Sequence, residues 1–123
     1  MTNDEASRDA ADIVSAKWQR VLAYADHKIN PATTRAAYAQ PRLRELFPVV
    51  SHGVLYLNRC TGVPAPADVP VVYRLSGGGF QVVRESDGVN PGEPATLEEA
   101  FALVVASLPE GCGPAIVGTA DDL

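Results

Sequence analysis

The sequence contains few of the residues that hold metals. Its 123 residues include two cysteines and two histidines, and no C-x-x-C or H-x-x-x-H spacing connects them. Zinc sites use closely spaced Cys and His ligands, so no metal site is predicted. The glycine run SGGG at 76–79 leads into the strand-like segment 80–84, whereas a phosphate cradle leads into a helix. It therefore indicates a hairpin turn, and we expect no cofactor.

Long apolar runs are also missing. No stretch approaches the roughly 20 residues that span a bilayer, so no membrane association is predicted. The first nine residues, MTNDEASRD, are polar and acidic and lack the charged-then-apolar pattern of an export signal. We therefore expect a cytoplasmic protein in which Cys60 and Cys112 are reduced thiols.

Basic residues are absent from the last third of the chain. All ten Lys and Arg residues lie between Arg8 and Arg84, and the chain up to Arg84 has seven acids, which leaves +3. Residues 85–123 have eight acids and no base, which gives −8 and a net charge of −5 for the whole chain. Nucleic-acid binding draws on clustered Lys and Arg, so this distribution disfavours it. The one dense basic stretch, PRLRE at 41–45, is typical of a solvated helix face.

The chain length fits a single domain, residues 1–123, with a sizeable core. Residues 9–29 predict an amphipathic helix, because apolar residues recur on one stripe. Asn30 and Pro31 then predict the N-cap and first position of a short second helix that stops before Pro41. The stripe consists of Val14, Trp18, Val21, Leu22, Ala25 and Ile29.

The middle of the chain changes to strand-forming residues. Residues 49–57 and 71–73 are rich in Val, Leu and Tyr and are predicted to form strands. Residues 80–84 are predicted to form the second strand of a hairpin with 71–73. Residues 85–94 predict a polar loop, and the tail segment 115–117 predicts an edge strand.

A final helix completes the predicted order. Thr96 and Glu99 have the spacing of a capping box, and the helix that they open stops before Pro109. The prediction is therefore an α+β fold: N-terminal helices, an antiparallel three- to four-stranded β-meander, and a C-terminal helix packed on the sheet.

The stretch SHGVLYLNRC, residues 51–60, has one histidine and one cysteine near opposite ends. On an extended strand His52, Tyr56 and Cys60 share one face, but eight steps of roughly 3.3 Å place His52 and Cys60 about 26 Å apart. They then cannot share a metal ion. Residues 54–57 are apolar on both faces, which favours a central strand covered on both sides.

Four residues of this stretch are also candidates for catalysis. His52 would act as a general base, since histidine titrates near neutral pH. Tyr56 or Arg59 would orient or polarise a substrate, and Cys60 would be the nucleophile. The structural alternative stays open, because a free buried cysteine usually behaves as a small hydrophobic residue. Whether the protein is an enzyme is not decided by these residues.

Three pieces of the chain resemble a small actinobacterial family of unknown function whose members are labelled natural-product biosynthesis proteins. They are AYAQPRLRELFP at 37–48, SHG through RC at 51–60, and GCGPA with GTADDL at 111–123. The resemblance covers roughly residues 36–123. It implies a cytoplasmic accessory role in secondary metabolism and carries over no catalytic residue.

Three functions follow as hypotheses. The first is an accessory protein of natural-product (secondary metabolite) biosynthesis that binds a small-molecule intermediate or a biosynthetic partner protein; the acidic last third would suit a basic partner. The second is a small cyclase- or isomerase-type enzyme that uses His52 as general base. The third is an immunity-type or regulatory binder of another protein.

Overall fold

The structure is a computed structural model that describes the backbone of residues 3–123 and the side chains of residues 8–123. The polar start that underlies the expected cytoplasmic location, residues 1–9, lies mostly outside the described side chains. Three α-helices and five strands lie in the described chain, and the α+β prediction is confirmed. They are α1 (Asn3–Leu22), α2 (Pro31–Tyr38), β1 (Phe47–Ser51), β2 (Val54–Asn58), β3 (Val71–Arg74), β4 (Phe80–Arg84), β5 (Val89–Gly92) and α3 (Leu97–Ala106).

Helix α1 ends at Leu22, well before the predicted end at residue 29. Its last bonds tighten to the i−3 pattern, with the Tyr24 amide donating to the Val21 carbonyl over 3.2 Å. The apolar stripe is confirmed where it is helical, since Val14 and Trp18 are buried. Ile29 is 3% exposed and reaches the core from a turn rather than from the helix.

Helix α2 begins where its capping residues predict. The Asn30 side chain accepts a hydrogen bond of 2.9 Å from the Ala32 amide, and Pro31 occupies the first turn. After Tyr38 a short turn segment leads into β1, and the Trp18 indole donates to the Leu46 carbonyl over 3.0 Å. This bond fixes the connection between α2 and β1 against α1.

Residues 51–60 do not form one long strand. β1 and β2 pair in antiparallel register from Phe47 with Asn58 to Ser51 with Val54, and His52 and Gly53 form the two-residue turn. Both turn residues have positive φ, 53° and 76°, as a type I′ hairpin turn requires. The prediction of an extended central strand with His52 at its end is therefore wrong. In β2, buried residues alternate with partly exposed ones, as in a strand with one covered face.

The remaining strands form a second sheet, in the order β3-β4-β5. The predicted hairpin at 76–79 joins β3 to β4. Strand β5 lies inside the predicted polar loop, because pairing with β4 overrides the weak strand propensity of Asn90 and Pro91. The predicted meander is thus divided into a two-stranded and a three-stranded antiparallel sheet.

Helix α3 and the tail complete the core. The Thr96 hydroxyl accepts from the Glu99 amide over 3.1 Å, which confirms the predicted N-cap. α3 packs on β3 and β4 through Phe101 and Val104, which are 2% and 0% exposed. The tail docks as predicted, but as an isolated parallel bridge between Ile116 and Cys60. No helix among the described residues is long and apolar enough to cross a membrane.

Candidate functional site

The larger of the two cavities described here is a groove of about 1060 Å³ between α1, the α2–β1 connection and the tail. We call it the α1–tail groove. Tail residues enter it because backbone bonds tie the tail down on both sides: the Ala115 amide donates to the Glu45 carbonyl over 2.9 Å, and the Ile116 amide donates to the Arg59 carbonyl over 3.0 Å. The groove is lined by Asp9, Ala10, Ala11, Asp12, Ile13, Val14, Ser15, Trp18, Tyr38, Arg44, Glu45, Pro114, Ala115, Ile116 and Val117.

The floor of the groove is rigid and apolar. Trp18 is 1% exposed, its indole N–H is held by the Leu46 carbonyl, and the Tyr38 ring meets it edge-on with centroids 5.3 Å apart. Val14 and Ala115 flank it and are 4% and 3% exposed. A floor fixed by a buried hydrogen bond and an aromatic pair is preorganised for a ligand.

Two large apolar side chains stand exposed on opposite walls of the groove. Ile13 of α1 is 41% exposed, and Val117 of the tail is 53% exposed. Exposed apolar groups that flank a concave apolar floor mark a binding surface more often than isolated ones do.

Charged groups at the groove are mainly acidic. Asp9, Asp12 and Glu45 line it, and none of them forms an ion pair with another residue of 8–123. The single base among the lining residues, Arg44, is held against Tyr38 and offsets one of the three negative charges: its Nε donates to the Tyr38 carbonyl over 2.9 Å, and its guanidinium carbon lies 4.9 Å from the Tyr38 ring centroid. The rim is therefore electronegative around an apolar floor.

His52 lies exposed in the β1–β2 turn. Its Nδ1 is 3.1 Å from the Ser51 hydroxyl oxygen, which leaves Nε2 free. It lines the second cavity, of about 470 Å³, with Tyr24, His27, Lys28, Val50 and Gly53. Of the four predicted catalytic residues, only His52 lines either of these two cavities.

Tyr56 lies on the partly exposed face of β2 and takes part in a cluster with Tyr73. The Tyr73 hydroxyl donates to Glu85 Oε1 over 2.6 Å. Burial raises the pKa of Tyr73 well above its usual value, and its hydrogen bond to Glu85 raises it further. Such a phenol holds its proton at neutral pH.

Arg59 forms a two-pronged ion pair with Asp68. Its Nε donates to Asp68 Oδ1 over 3.1 Å, and its Nη2 contacts Oδ2. The hydrogen bond to Asp68 raises the pKa of Arg59. Two of the five N–H donors of the guanidinium are thus occupied, and the pair ties the end of β2 to the loop before β3.

Cys60 is 0% exposed, and burial raises the pKa of its thiol. Its Sγ lies 3.6 Å from the Gly62 carbonyl oxygen. Reactive cysteines are accessible and have lowered pKa values, so this environment is the opposite of an activated nucleophile. Cys112 is partly exposed, its thiol pKa is also raised by burial, and neither cysteine is in a disulfide.

The described residues bring no three His, Cys, Asp or Glu side chains together in a way that could hold a metal ion. The catalytic roles of His52, Tyr56, Arg59 and Cys60 remain predictions.

The family comparison matches residues 12–119 to one family model, which covers most of the chain. The chain belongs to a family of unknown function (DUF6193). No curated protein and no solved structure matches it. The matched residues include every lining residue of the second cavity. They also include every lining residue of the α1–tail groove except Asp9, Ala10 and Ala11.

In this DUF6193 chain, the groove was missed by sequence reasoning. Trp18 was assigned to the core, which is correct, but it also forms a cavity floor. The available signal was Ile13, an isoleucine next to the predicted apolar stripe rather than on it. Nothing in the sequence indicated that the tail would lie opposite that side chain.

Proposed function

We propose that this DUF6193 chain is an accessory protein that binds a small amphipathic molecule in the α1–tail groove. The ligand has an apolar body and a cationic group. The observation that carries this proposal is the groove itself: an apolar cavity of about 1060 Å³ whose rim has three carboxylates without partners among the described residues.

The apolar body would lie on the floor formed by Trp18, between Ile13 and Val117. These side chains leave apolar surface open to water at a concave site, and covering it is favourable by about 25 cal/mol per Å². The volume is at the upper end of the range of about 300–1,000 Å³ typical of small-molecule pockets.

The cationic group would meet Asp9, Asp12 and Glu45. Exposed charge pairs contribute about 0.2–1 kcal/mol each, so three carboxylates select charge more than they add affinity. Arg44 also lines the groove and offsets part of this field, but the three carboxylates leave the charged lining net negative.

The biological setting is the second part of the proposal. The resemblance of residues 37–48, 51–60 and 111–123 to actinobacterial proteins labelled for natural-product biosynthesis supports a cytoplasmic role in secondary metabolism. The ligand would then be a small-molecule intermediate of such a pathway, held by this protein for an enzyme that acts on it. A biosynthetic partner protein as occupant of the groove is the competing outcome of the tests below.

Binding is tested by the fluorescence of Trp18, which is the only tryptophan in the chain. The probes are octylammonium and octanoate, which have the same chain length and opposite charge. We expect saturable changes in Trp18 emission with octylammonium, and a Kd roughly tenfold weaker for octanoate because of the acidic rim. Each methylene added to the ammonium probe should tighten Kd by roughly fourfold while the chain still fits, from about 0.8 kcal/mol per CH₂.

Variants locate the binding. Asp12→Asn should reduce the preference for the cation, and Val117→Ser should weaken both probes. The matched control is Val89→Ser, since Val89 is 45% exposed on β5 and lies outside the groove. Equal Kd values for the two probes, or equal losses in Val117→Ser and Val89→Ser, would contradict the assignment.

The biosynthetic role is tested in the native host. Deleting the gene should lower the yield of the metabolite made by neighbouring genes, and the wild-type chain should restore it. The Val117→Ser variant should restore it poorly, and Val89→Ser fully. Full rescue by Val117→Ser, or unchanged yield after deletion, would contradict the proposal. If the groove binds a biosynthetic partner protein and neither probe, the partner-protein hypothesis replaces it.

A small cyclase- or isomerase-type enzyme is the second candidate. It is favoured by one observation: His52 lines a cavity with its Nε2 free, as a general base must. In a reconstituted pathway, His52→Ala would then abolish product formation. Unchanged product formation in that variant would end this assignment.

A further inference from the structure

The second cavity lies where the turn after α1 meets the β1–β2 hairpin turn. Its six lining residues are Tyr24, His27, Lys28, Val50, His52 and Gly53, and we call it the basic pocket. The two walls approach closely: a Cβ atom added to Gly53 would lie 3.9 Å from the Lys28 carbonyl oxygen.

The charge of this pocket is opposite to that of the chain. The protein has a net charge of −5 and only two histidines and two lysines, yet both histidines and one lysine line this cavity. No acidic side chain lines it; Asp26, the nearest acid in sequence, is exposed and lies outside the lining. Positive groups gathered in a concavity focus an attractive field on an anion.

The side chains are free to bind. Lys28 Nζ lies 5.0 Å from the centroid of the Tyr24 ring, which holds the ammonium at the cavity wall, and Lys28 forms no ion pair within the described chain. The contact between Ser51 and His52 Nδ1 orients the imidazole and leaves Nε2 as a donor when the ring is protonated. The positive φ of His52 is held by the hairpin register, so the ring position is part of the fold.

We propose that the basic pocket binds a phosphate-type oxyanion, either free or as the phosphate group of a small ligand. An ammonium and two imidazoles supply N–H donors and positive charge, the chemistry that recognises phosphate. The ammonium disfavours a metal ion. The cavity of about 470 Å³ has room for more than the anion alone, so a phosphorylated small molecule fits. This site is separate from the α1–tail groove and does not rest on the function proposed for it.

The lining of the pocket has nitrogen donors and no carboxylate. The groups that can donate an N–H to an anion are His27, His52 and Lys28, with the Tyr24 ring beside them. An anion bound there therefore meets donors and positive charge and no negative side chain among the lining residues.

The experiment uses the full chain and two inorganic probes. The probes are sulfate and inorganic phosphate, both oxyanions. The readouts are calorimetry and the NMR signals of the two imidazoles. We expect saturable binding of both anions at pH 6, and shifts of both imidazole signals.

The chain offers a closely matched control. Lys28→Gln removes a pocket charge, whereas Lys17→Gln removes the other lysine, which also lies on an aromatic ring, 5.6 Å from the centroid of Phe47. We expect Lys28→Gln to weaken phosphate about fivefold or more and Lys17→Gln to leave it unchanged. His52→Asn, in which asparagine tolerates the positive φ, should weaken the binding of both anions.

Several results would overturn the proposal. They are no saturable binding at pH 6, equal weakening by Lys17→Gln and Lys28→Gln, or binding only to phosphatidylglycerol vesicles and not to free phosphate. Tighter binding of Zn²⁺ than of either anion through the same imidazoles would also overturn it. The octylammonium titration followed by Trp18 is unaffected by these outcomes, so failure here is distinguishable from failure of the groove.

Discussion

The α1–tail groove is lined by residues of α1, whereas the basic pocket is lined by residues of the turn that follows α1. The two sites are built differently. The floor of the groove is core: Val14, Trp18 and Ala115 are each at most 4% exposed. The basic pocket is made from two turns, and its charged side chains are exposed. The floor of the groove can therefore change only together with the fold, whereas substitutions in the pocket can change its charge and leave the fold intact.

The largest expected effect comes from the groove floor. Trp18→Ala removes a fully buried ring and its hydrogen bond to Leu46 and should lower the free energy of unfolding by about 3–5 kcal/mol. Urea denaturation followed by circular dichroism measures it. His52→Asn is the comparison from the basic pocket and should change stability by less than about 0.5 kcal/mol. Similar losses in the two variants would contradict the contrast between core and surface sites.

The next effect concerns the wall of the groove formed by the tail. A Cβ atom at Gly62 would lie 2.7 Å from the Gly118 carbonyl oxygen, so Gly62→Ala must push the tail strand away from the end of β2. We expect a loss of about 1–3 kcal/mol of stability and weaker octylammonium binding. Gly77→Ala is the control, because a Cβ there meets nothing within 4 Å and φ is not positive. Unchanged binding in Gly62→Ala would show that the tail is not a wall of the site.

A smaller effect on stability separates binding from folding. Val117→Ser changes a side chain that is 53% exposed, so the free energy of unfolding should change by less than about 0.5 kcal/mol while octylammonium binding weakens. Sulfate binding in the basic pocket should not change. Thermal unfolding and the two titrations measure these quantities. A variant that loses both ligands would indicate that the two sites are coupled.

The smallest effect is a pH dependence that belongs to neither site. The pKa values of Cys60 and Tyr73 are raised by burial, so above about pH 9 the unfolded chain loses these protons before the folded chain does. The free energy of unfolding should therefore fall as pH rises above about 9. At neutral pH both groups are protonated in the folded and the unfolded chain, so they add no pH dependence there. The midpoint of thermal unfolding measures this, and Cys60→Ala should reduce the slope near pH 9. An unchanged slope would assign the effect to other groups.

The two turns that line the basic pocket illustrate what a short sequence can indicate. His52-Gly53 has the composition of a type I′ turn, with a residue tolerant of positive φ followed by glycine, and this signal was outweighed by the apolar residues on both sides. The strand interpretation kept His52 away from Cys60, and the structure also places them in different surroundings: an exposed turn and a buried bridge.

Local signals were reliable where the interactions are local. Asn30 caps α2 through the Ala32 amide two residues away, and Thr96 caps α3 through Glu99 three residues away. The apolar stripe through Val14 and Trp18 likewise needs only the helical repeat. The sequence by itself therefore determined the starts of α2 and α3, the buried stripe of α1, the β3–β4 hairpin and the α+β class, whereas α1 begins at Asn3 and not at the predicted residue 9.

The tertiary structure alone decided where those elements meet. Strand β5 exists because β4 pairs with residues that would not form a strand alone, and β2 and β3 lie in separate sheets although they follow one another in the chain. Both cavities arise from residues distant in sequence: Trp18 meets Ala115, and Lys28 meets the turn at Gly53. Periodicity and capping report interactions within a few residues, whereas a cavity is a property of surfaces brought together by packing.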